Sequence, residues 1–244
     1  MHNNIIELYK KFILIKKMGY VKTLRKGVTG IGYTFECLID KREDNLPIAD
    51  YNNIEIKTIH RFSKRKIHLF NATPDGDFLF PIKRIVDEIG YPDKNFPDKN
   101  VLNVSINAKQ FTNIGYYKQV KLVVDYGNEK IIVLAFKNGK CIDVAISWSF
   151  RLIKEHLDNK LNYLAVVEAS TKTIDGDEYF HYNKISFFKL KDYMTFIKLV
   201  EKGIISITFK VGLFNDGIRK GQIHDRGTDF SINYDDLDFL YKRL

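Results

Sequence analysis

Ile54-Glu55-Ile56-Lys57 constrains this chain more than any other four residues in it. Strict alternation makes the run a β-strand with Ile54 and Ile56 on one face and Glu55 and Lys57 on the other. A carboxylate and an ammonium then project side by side from one strand. Upstream, Asn52-Asn53 favours a tight turn, which can bring the carboxylate of Asp50 back beside Glu55. Two carboxylates and a lysine gathered in this way suit metal-assisted hydrolysis of a phosphodiester, with hard oxygen ligands for Mg²⁺ and a cation for the charge that develops on the phosphoryl group. An exposed strand that merely alternates charges carries the same letters, so the run needs context.

The context lies upstream. Leu24-Arg25-Lys26-Gly27-Val28-Thr29-Gly30-Ile31-Gly32 is a basic, glycine-rich loop, and Thr29 is placed to cap a short amphipathic helix that carries Glu36. A loop of this kind, a glutamate on a helix, then Asp and Glu-x-Lys on strands resembles the PD-(D/E)XK nuclease superfamily. Within it, the chain is similar to the MvaI/BcnI restriction endonuclease family and to its mismatch-repair relative MutH. The likeness to the MvaI side of the family is collinear. It runs through Arg25-Lys26-Gly27, Thr29-Gly30-Ile31-Gly32, Phe35-Glu36, Glu43-Asp44-Asn45-Leu46, Asp50 and Ile54 to Thr58. It continues through Leu69-Phe70, Pro74, Trp148-Ser149-Phe150, Leu157 to Val166 and His224 to Phe230, and is weak between about Asp75 and Gly139.

The resemblance implies a mixed α/β fold: a PD-(D/E)XK nuclease core and a largely β DNA-recognition lobe, two lobes around a DNA cleft. It implies a Type II restriction endonuclease that hydrolyses duplex DNA at a short sequence with Mg²⁺, through one active site per monomer, leaving 5′-phosphate and 3′-hydroxyl ends. Asp50 and Glu55, joined by the backbone carbonyl of Ile56, would hold the metal. Lys57 would position or deprotonate the attacking water, and Glu36 would orient Lys57 or complete the metal shell; read from its own pattern, Glu36 is equally a helix-surface glutamate. Arg25, Lys26 and Thr29 would grip DNA. A cognate DNA methyltransferase is expected in the same system, with no direct contact implied. Three other readings stay open at this stage: a MutH-like nicking enzyme recruited by repair partners, a catalytically silent DNA-binding module, and a structural protein with no chemistry. The presence of Asp50, Glu55 and Lys57 together weighs against the last two.

A second concentration of informative residues spans Ile205 to Asn233: Lys210, Arg219, Lys220, His224, Asp225, Arg226 and Thr228. Arg and Lys donate to guanine O6 and N7, and Asp accepts from cytosine N4. A solvated basic hairpin has the same composition; the resemblance, through His224-Asp225 and Gly227-Thr228, favours DNA reading. Departures from the family fall here as well. Lys210 stands where the MvaI side has an arginine, Arg226 where it has a histidine and Ser231 where it has an arginine. A point charge replaces a planar fork, and serine reaches less far. The base sequence read by those relatives therefore does not transfer.

Lys and Arg exceed Asp and Glu by 39 to 30, a formal charge of +9 that fits a polyanionic partner. No apolar run reaches the roughly 18 to 20 residues that span a bilayer, and lysines break the apolar pattern of Asn4 to Met18. That segment reads as an amphipathic opening helix and not as a secretory signal. Two cysteines, Cys37 and Cys141, are too few for a disulfide framework or a zinc site. Both are expected as small core residues in a cytoplasmic protein. His60, His68 and His181 alternate with apolar residues and are expected as packed or edge side chains.

Organisation follows from the same patterns. Residues 1–90 are expected to form the catalytic lobe, completed by 148–170, and 91–244 the recognition lobe. Lys66 to Ala72 should follow the Glu55 strand in the nuclease sheet, with Leu161 to Ala169 returning as its parallel fifth member. Pro81 should open a helix. Val101 to Ala108, Lys118 to Tyr126, Lys130 to Lys137 and Cys141 to Ser147 should make a meander turning at Gly127-Asn128 and Asn138-Gly139. Trp148 to Lys160 is expected as a helix capped by Ser147 or Ser149. Beyond it come a strand (Tyr179 to Leu190), a helix (Asp192 to Lys202), a strand (Ser206 to Phe214), a loop through Thr228, a strand (Asp229 to Asn233) and a closing helix.

Overall fold

The computed structural model describes residues 2–40, 49–62, 66–76 and 80–244. Glu43 to Leu46, part of the family resemblance, lie outside the described residues. In chain order the elements are α1 (His2–Lys17), β1 (Val21–Lys22), α2 (Gly30–Leu38), β2 (Ile54–His60), β3 (Lys66–Asn71), α3 (Pro81–Ile89), β4 (Tyr91–Pro92), β5 (Asn100–Ile106), β6 (Thr112–Ile114) and β7 (Lys118–Asp125). There follow β8 (Lys130–Lys137), β9 (Lys140–Ile142), β10 (Ser147–Ser149), α4 (Phe150–His156), β11 (Tyr163–Ile174), β12 (Asp177–Leu190), α5 (Tyr193–Glu201), β13 (Ser206–Leu213), β14 (Ile223–Asn233), α6 (Leu237–Leu240) and β15 (Tyr241–Arg243). The fold is mixed α/β with three sheets among the described residues. None of the described helices is long and apolar enough to cross a membrane.

The chain divides into two compact units: Met1–Ile67, His156–Lys191 and Leu237–Leu244 form one, His68–Glu155 and Asp192–Asp236 the other. The division differs from a cut near residue 90, because the chain leaves the first unit at Ile67 and returns to it twice.

In the first unit the sheet order is β1-β12-β11-β2, with β15 pairing β12. Strand β11 runs parallel to β2, from Tyr163 opposite Ile54 to Ala169 opposite His60, as the apolar run predicts. Leu8, Phe12 and Ile15 recur at helical spacing on α1 and meet Ile31 and Phe35 of α2 over Ile54, Ile56, Ala165 and Val167. Lys16 and Lys17 close α1, where a helix terminus favours cations.

The expectation for Lys66 to Ala72 is corrected: β3 pairs β14 in the other unit. On the edge of β2 away from β11, Tyr51 bonds Ile54 and Asp50 bonds Ile56. Phe70 of β3 finds its partner in the other unit, stacking on Phe230 at 4.9 Å.

The second unit holds sheets β3-β14-β13-β5-β4 and β10-β8-β7-β6, with β9 on β8. The expected meander holds for β7 and β8, while its last member, expected over Cys141 to Ser147, ends at Ile142 as β9, and the chain is strand again only from Ser147. Asn138 and Gly139 have φ of 52° and 74° and form the two-residue turn between β8 and β9. Its first member is corrected: β5 pairs β13, Ile106 facing Ile207. The expected loop before Thr228 is also strand, since β14 already pairs β13 at Ile223 and Leu213. Trp148 is buried against Phe209 and Phe230, and its Nε1 donates to the Ala72 carbonyl at 2.9 Å. Helix α4 starts later than expected, capped by Ser149, whose Oγ accepts from the Leu152 amide at 3.1 Å. Cys141 is exposed on the short strand β9 and Cys37 is half-buried, so neither is a fully buried core residue.

Candidate active site

The chain enters β2 through a two-residue turn. Asn52 and Asn53 have φ of 45° and 69°, as a type I′ turn requires, and Tyr51 and Ile54 exchange both backbone hydrogen bonds across it, at 2.9 and 2.8 Å. The turn lays Asp50 against the same edge of β2, where its Oδ2 accepts from the Ile56 amide at 2.9 Å. Within a strand a residue's N–H and C=O leave on one side, so the Ile56 carbonyl opens on the side of the Asp50 carboxylate.

Glu55 is 1% exposed. Its Oε1 accepts from Lys57 Nζ at 2.6 Å and lies 3.5 Å from Lys160 Nζ, whereas its Oε2 is buried with no hydrogen-bond partner. Burial raises the Glu55 carboxyl above its ordinary value; Lys57 opposes this, the Asp50 charge adds to it and Lys160 opposes it. Tyr241 faces the same charge: burial first, then the Glu55 carboxylate, raises its phenol. The Tyr241 hydroxyl donates to the Leu161 carbonyl at 3.3 Å.

The donor set fits a hard divalent cation. A buried carboxylate oxygen without a partner costs desolvation, and Glu55 Oε2 faces that cost in a site that also holds Asp50 and the edge carbonyl of Ile56. No three His, Cys, Asp or Glu side chains converge among the described residues. Two carboxylates and a carbonyl match Mg²⁺, which keeps several waters, better than a closed zinc cage.

Of the predicted catalytic residues, Asp50, Glu55, Lys57 and the Ile56 carbonyl come together. Glu36 is placed differently. Helix α2 rides so close to β2 at Gly32 that an added Cβ would lie 3.2 Å from Thr58 Oγ1 and 3.8 Å from Glu36 Oε1. Glu36 thus lies near the Thr58 step of β2, which alternation puts on the face opposite Glu55 and Lys57.

The loop before α2 is fastened by the Leu24 amide donating to Thr34 Oγ1 at 3.0 Å and by Thr23 Oγ1 donating to the Arg25 carbonyl at 2.6 Å. Arg25 stacks on the Tyr33 ring at 3.7 Å, while Lys26 and Thr29 are exposed. Thr29 precedes α2 as expected, but its side chain makes no capping bond.

In the second unit, β13 and β14 and their connection carry Lys210, Arg219, Lys220, His224, Asp225 and Arg226. Phe214 is their platform: His224 stacks on it at 4.1 Å and Arg219 lies 5.4 Å from its centroid. Asp225 Oδ1 accepts from the Gly227 amide at 2.8 Å. Arg219, Lys220, Asp225 and Arg226 are exposed, and Lys210 and His224 are half-buried. Thr228 is buried, its hydroxyl without a hydrogen-bond partner. Lys210 and Arg226 line a cavity of about 530 Å³ with Tyr91, Lys94 and Asn103.

Sequence reasoning missed Lys160 and Tyr241 as neighbours of Glu55. Lys160 reaches the site from a π-helical turn, Leu157–Leu161, that continues α4. Such a turn is wider than an α-turn, and apolar spacing does not reveal it.

Five chains of solved structure match this one. A complex of restriction endonuclease MvaI with its cognate DNA substrate is 30% identical, covering 100% of this chain and 98% of that one, with a TM-score of 0.92. Restriction endonuclease MvaI in the absence of DNA is 29% identical over the same shares, with a TM-score of 0.65. No curated protein sequence matches. The model of the MvaI/BcnI restriction endonuclease family matches residues 9–241. Taken with the Asp50, Glu55 and Lys57 cluster, these matches show that the chain belongs to the MvaI/BcnI restriction endonuclease family.

Proposed function

We propose that this protein is a Mg²⁺-dependent Type II restriction endonuclease that cuts duplex DNA at a short sequence, in the cytoplasm, through a PD-(D/E)XK site. The observation that carries this reading is the meeting of Asp50, the Ile56 carbonyl edge and the partnerless Oε2 of Glu55, with Lys57 at 2.6 Å. Asp50, Glu55 and the Ile56 carbonyl hold the metal. The chemistry that Mg²⁺ would supply when held there is polarisation of the scissile phosphate and a more acidic water. Lys57 orients that water or takes its proton and offsets charge on the phosphorane-like transition state. Arg25, Lys26, Lys220 and Arg219 hold phosphates, while Lys210, His224, Asp225 and Arg226 reach base edges. Glu36 and Thr29 have supporting places near α2.

Lys160 adds a second positive charge beside Glu55. Because burial raises the Glu55 carboxyl and Lys160 lowers it, Lys160→Ala shifts the protonated form of Glu55 to higher pH. The acid limb of the cleavage profile therefore moves towards alkaline pH. Cleavage falls most on the acid side of the profile and little on its alkaline side. An unmoved acid limb would separate Lys160 from the metal site.

The described residues hold one Asp50, Glu55 and Lys57 set. A monomer with one such set cuts the strands in turn, so a plasmid time course with Mg²⁺ shows nicked circles before linear DNA and then discrete fragments. Nicking that never proceeds to linear product would favour a MutH-like activity. Linear product without a nicked precursor, from a protein that sediments as a dimer on DNA, would refute the monomeric mechanism.

A further inference from the structure

Within the second unit, one buried carboxylate carries two partly exposed side chains. Asp229, on β14, is 1% exposed. Its Oδ2 meets His68 Nδ1 from β3 on one side and lies 3.2 Å from Lys210 Nζ of β13 on the other. These are three adjacent strands of one sheet. The His68 side chain is 60% exposed and that of Lys210 34%.

The carboxylate oxygen only accepts, so a His68 proton sits on Nδ1, and the same oxygen forms an ion pair with Lys210. In its neutral form the ring then presents the outer Nε2 as an acceptor held in a fixed direction. The Lys210 ammonium, held beside Asp229 by that ion pair, has N–H donors to offer a ligand. An acceptor and a donor held by one buried anchor lose little freedom when they meet a ligand. Phosphate attraction does not need such fixed directions; reading a base edge does. In the major groove every base pair sets an amino donor, cytosine N4 or adenine N6, beside an acceptor.

Resting on the proposal that this protein binds duplex DNA, we infer that His68 and Lys210, oriented by Asp229, form a base-reading pair in which His68 Nε2 accepts from the exocyclic amine of cytosine or adenine. Asp229 is a positioning residue and touches no DNA. The sequence pattern alone marks His68 as a packed or edge side chain.

The test is selection from a pool of randomised DNA duplexes in Ca²⁺, which reads sequence preference without cleavage, for the wild type, His68→Ala and Asp229→Asn. The wild type enriches a consensus. In both variants preference at one shared cytosine or adenine position falls roughly 5- to 100-fold, with other positions unchanged. His68→Ala changes an exposed side chain, so it decides the matter if Asp229→Asn melts early. Weaker enrichment with an unaltered consensus would mean a phosphate contact or a structural role and would overturn the inference. A wild type that enriches a consensus but cuts nothing in Mg²⁺ would sink the proposed activity and leave the pair standing. A wild type that enriches nothing would overturn both.

Discussion

Glu55→Ala abolishes DNA cleavage, with a loss of roughly 10³-fold or more in the single-turnover rate, while Kd for duplex DNA in Ca²⁺ changes little. The loss is large because Glu55 supplies both the buried Oε2 and the anchor for Lys57; binding persists because the groups proposed to grip phosphates and bases lie elsewhere. Asp50→Ala has the same outcome through loss of the second carboxylate. Fold damage is not the cause, as the linkage shows. Burial raises Glu55 in the folded state, so its contribution to stability is complete below the unfolded value, near 4.5, and is lost as pH rises through the folded one. Above the folded value the ionised carboxylate is a cost, and Glu55→Gln removes it. Lys57 and Lys160, about a quarter exposed, can turn to solvent. Thermal melting of Glu55→Gln at pH 8 should therefore fall no lower than that of the wild type, while cleavage is lost. Near wild-type cleavage by either Glu55 variant would remove Glu55 from the mechanism.

Metal exchange separates binding from chemistry in the wild type. Chelation by EDTA stops cleavage, Mg²⁺ restores it, and in Ca²⁺ binding persists without hydrolysis. Ca²⁺ accepts looser geometry and more ligands than the octahedral Mg²⁺ site, so it tolerates two carboxylates and a carbonyl but aligns water poorly. The expected difference between Mg²⁺ and Ca²⁺ is again roughly 10³-fold or more. Cleavage in EDTA at the Mg²⁺ rate would show that Lys57 and Lys160 suffice without a metal.

Strand β2 and its turn were legible because their information is local. Alternation sets the faces of Ile54 to Lys57, and two asparagines at positive φ make the turn that returns Asp50. The apolar run of β11 likewise announced a strand buried on both faces, and its parallel pairing with β2 followed. Long-range partners were not legible. Strand β3 has the pattern of a nuclease-sheet strand, yet Phe70 packs on Phe230, 160 residues away in sequence. Lys160 depends on a π-turn, and Tyr241 on the pairing of β15 with β12. Glu36 was placed on the correct helix, but the approach of Gly32 to Thr58 decides which face of β2 it meets. His68 looked like a packed or edge residue because Asp229 and Lys210, the groups that orient it, come from other strands.

The most direct measurement is an anomalous difference map from crystals of the protein with duplex DNA, soaked in Mn²⁺ as a stand-in for Mg²⁺. A peak bounded by the Asp50 and Glu55 carboxylates and the Ile56 carbonyl, and absent from Glu55→Ala crystals, is the expected result. Saturating Mn²⁺ with no peak there, or a peak held by other residues, would contradict the metal site on which the proposed activity rests.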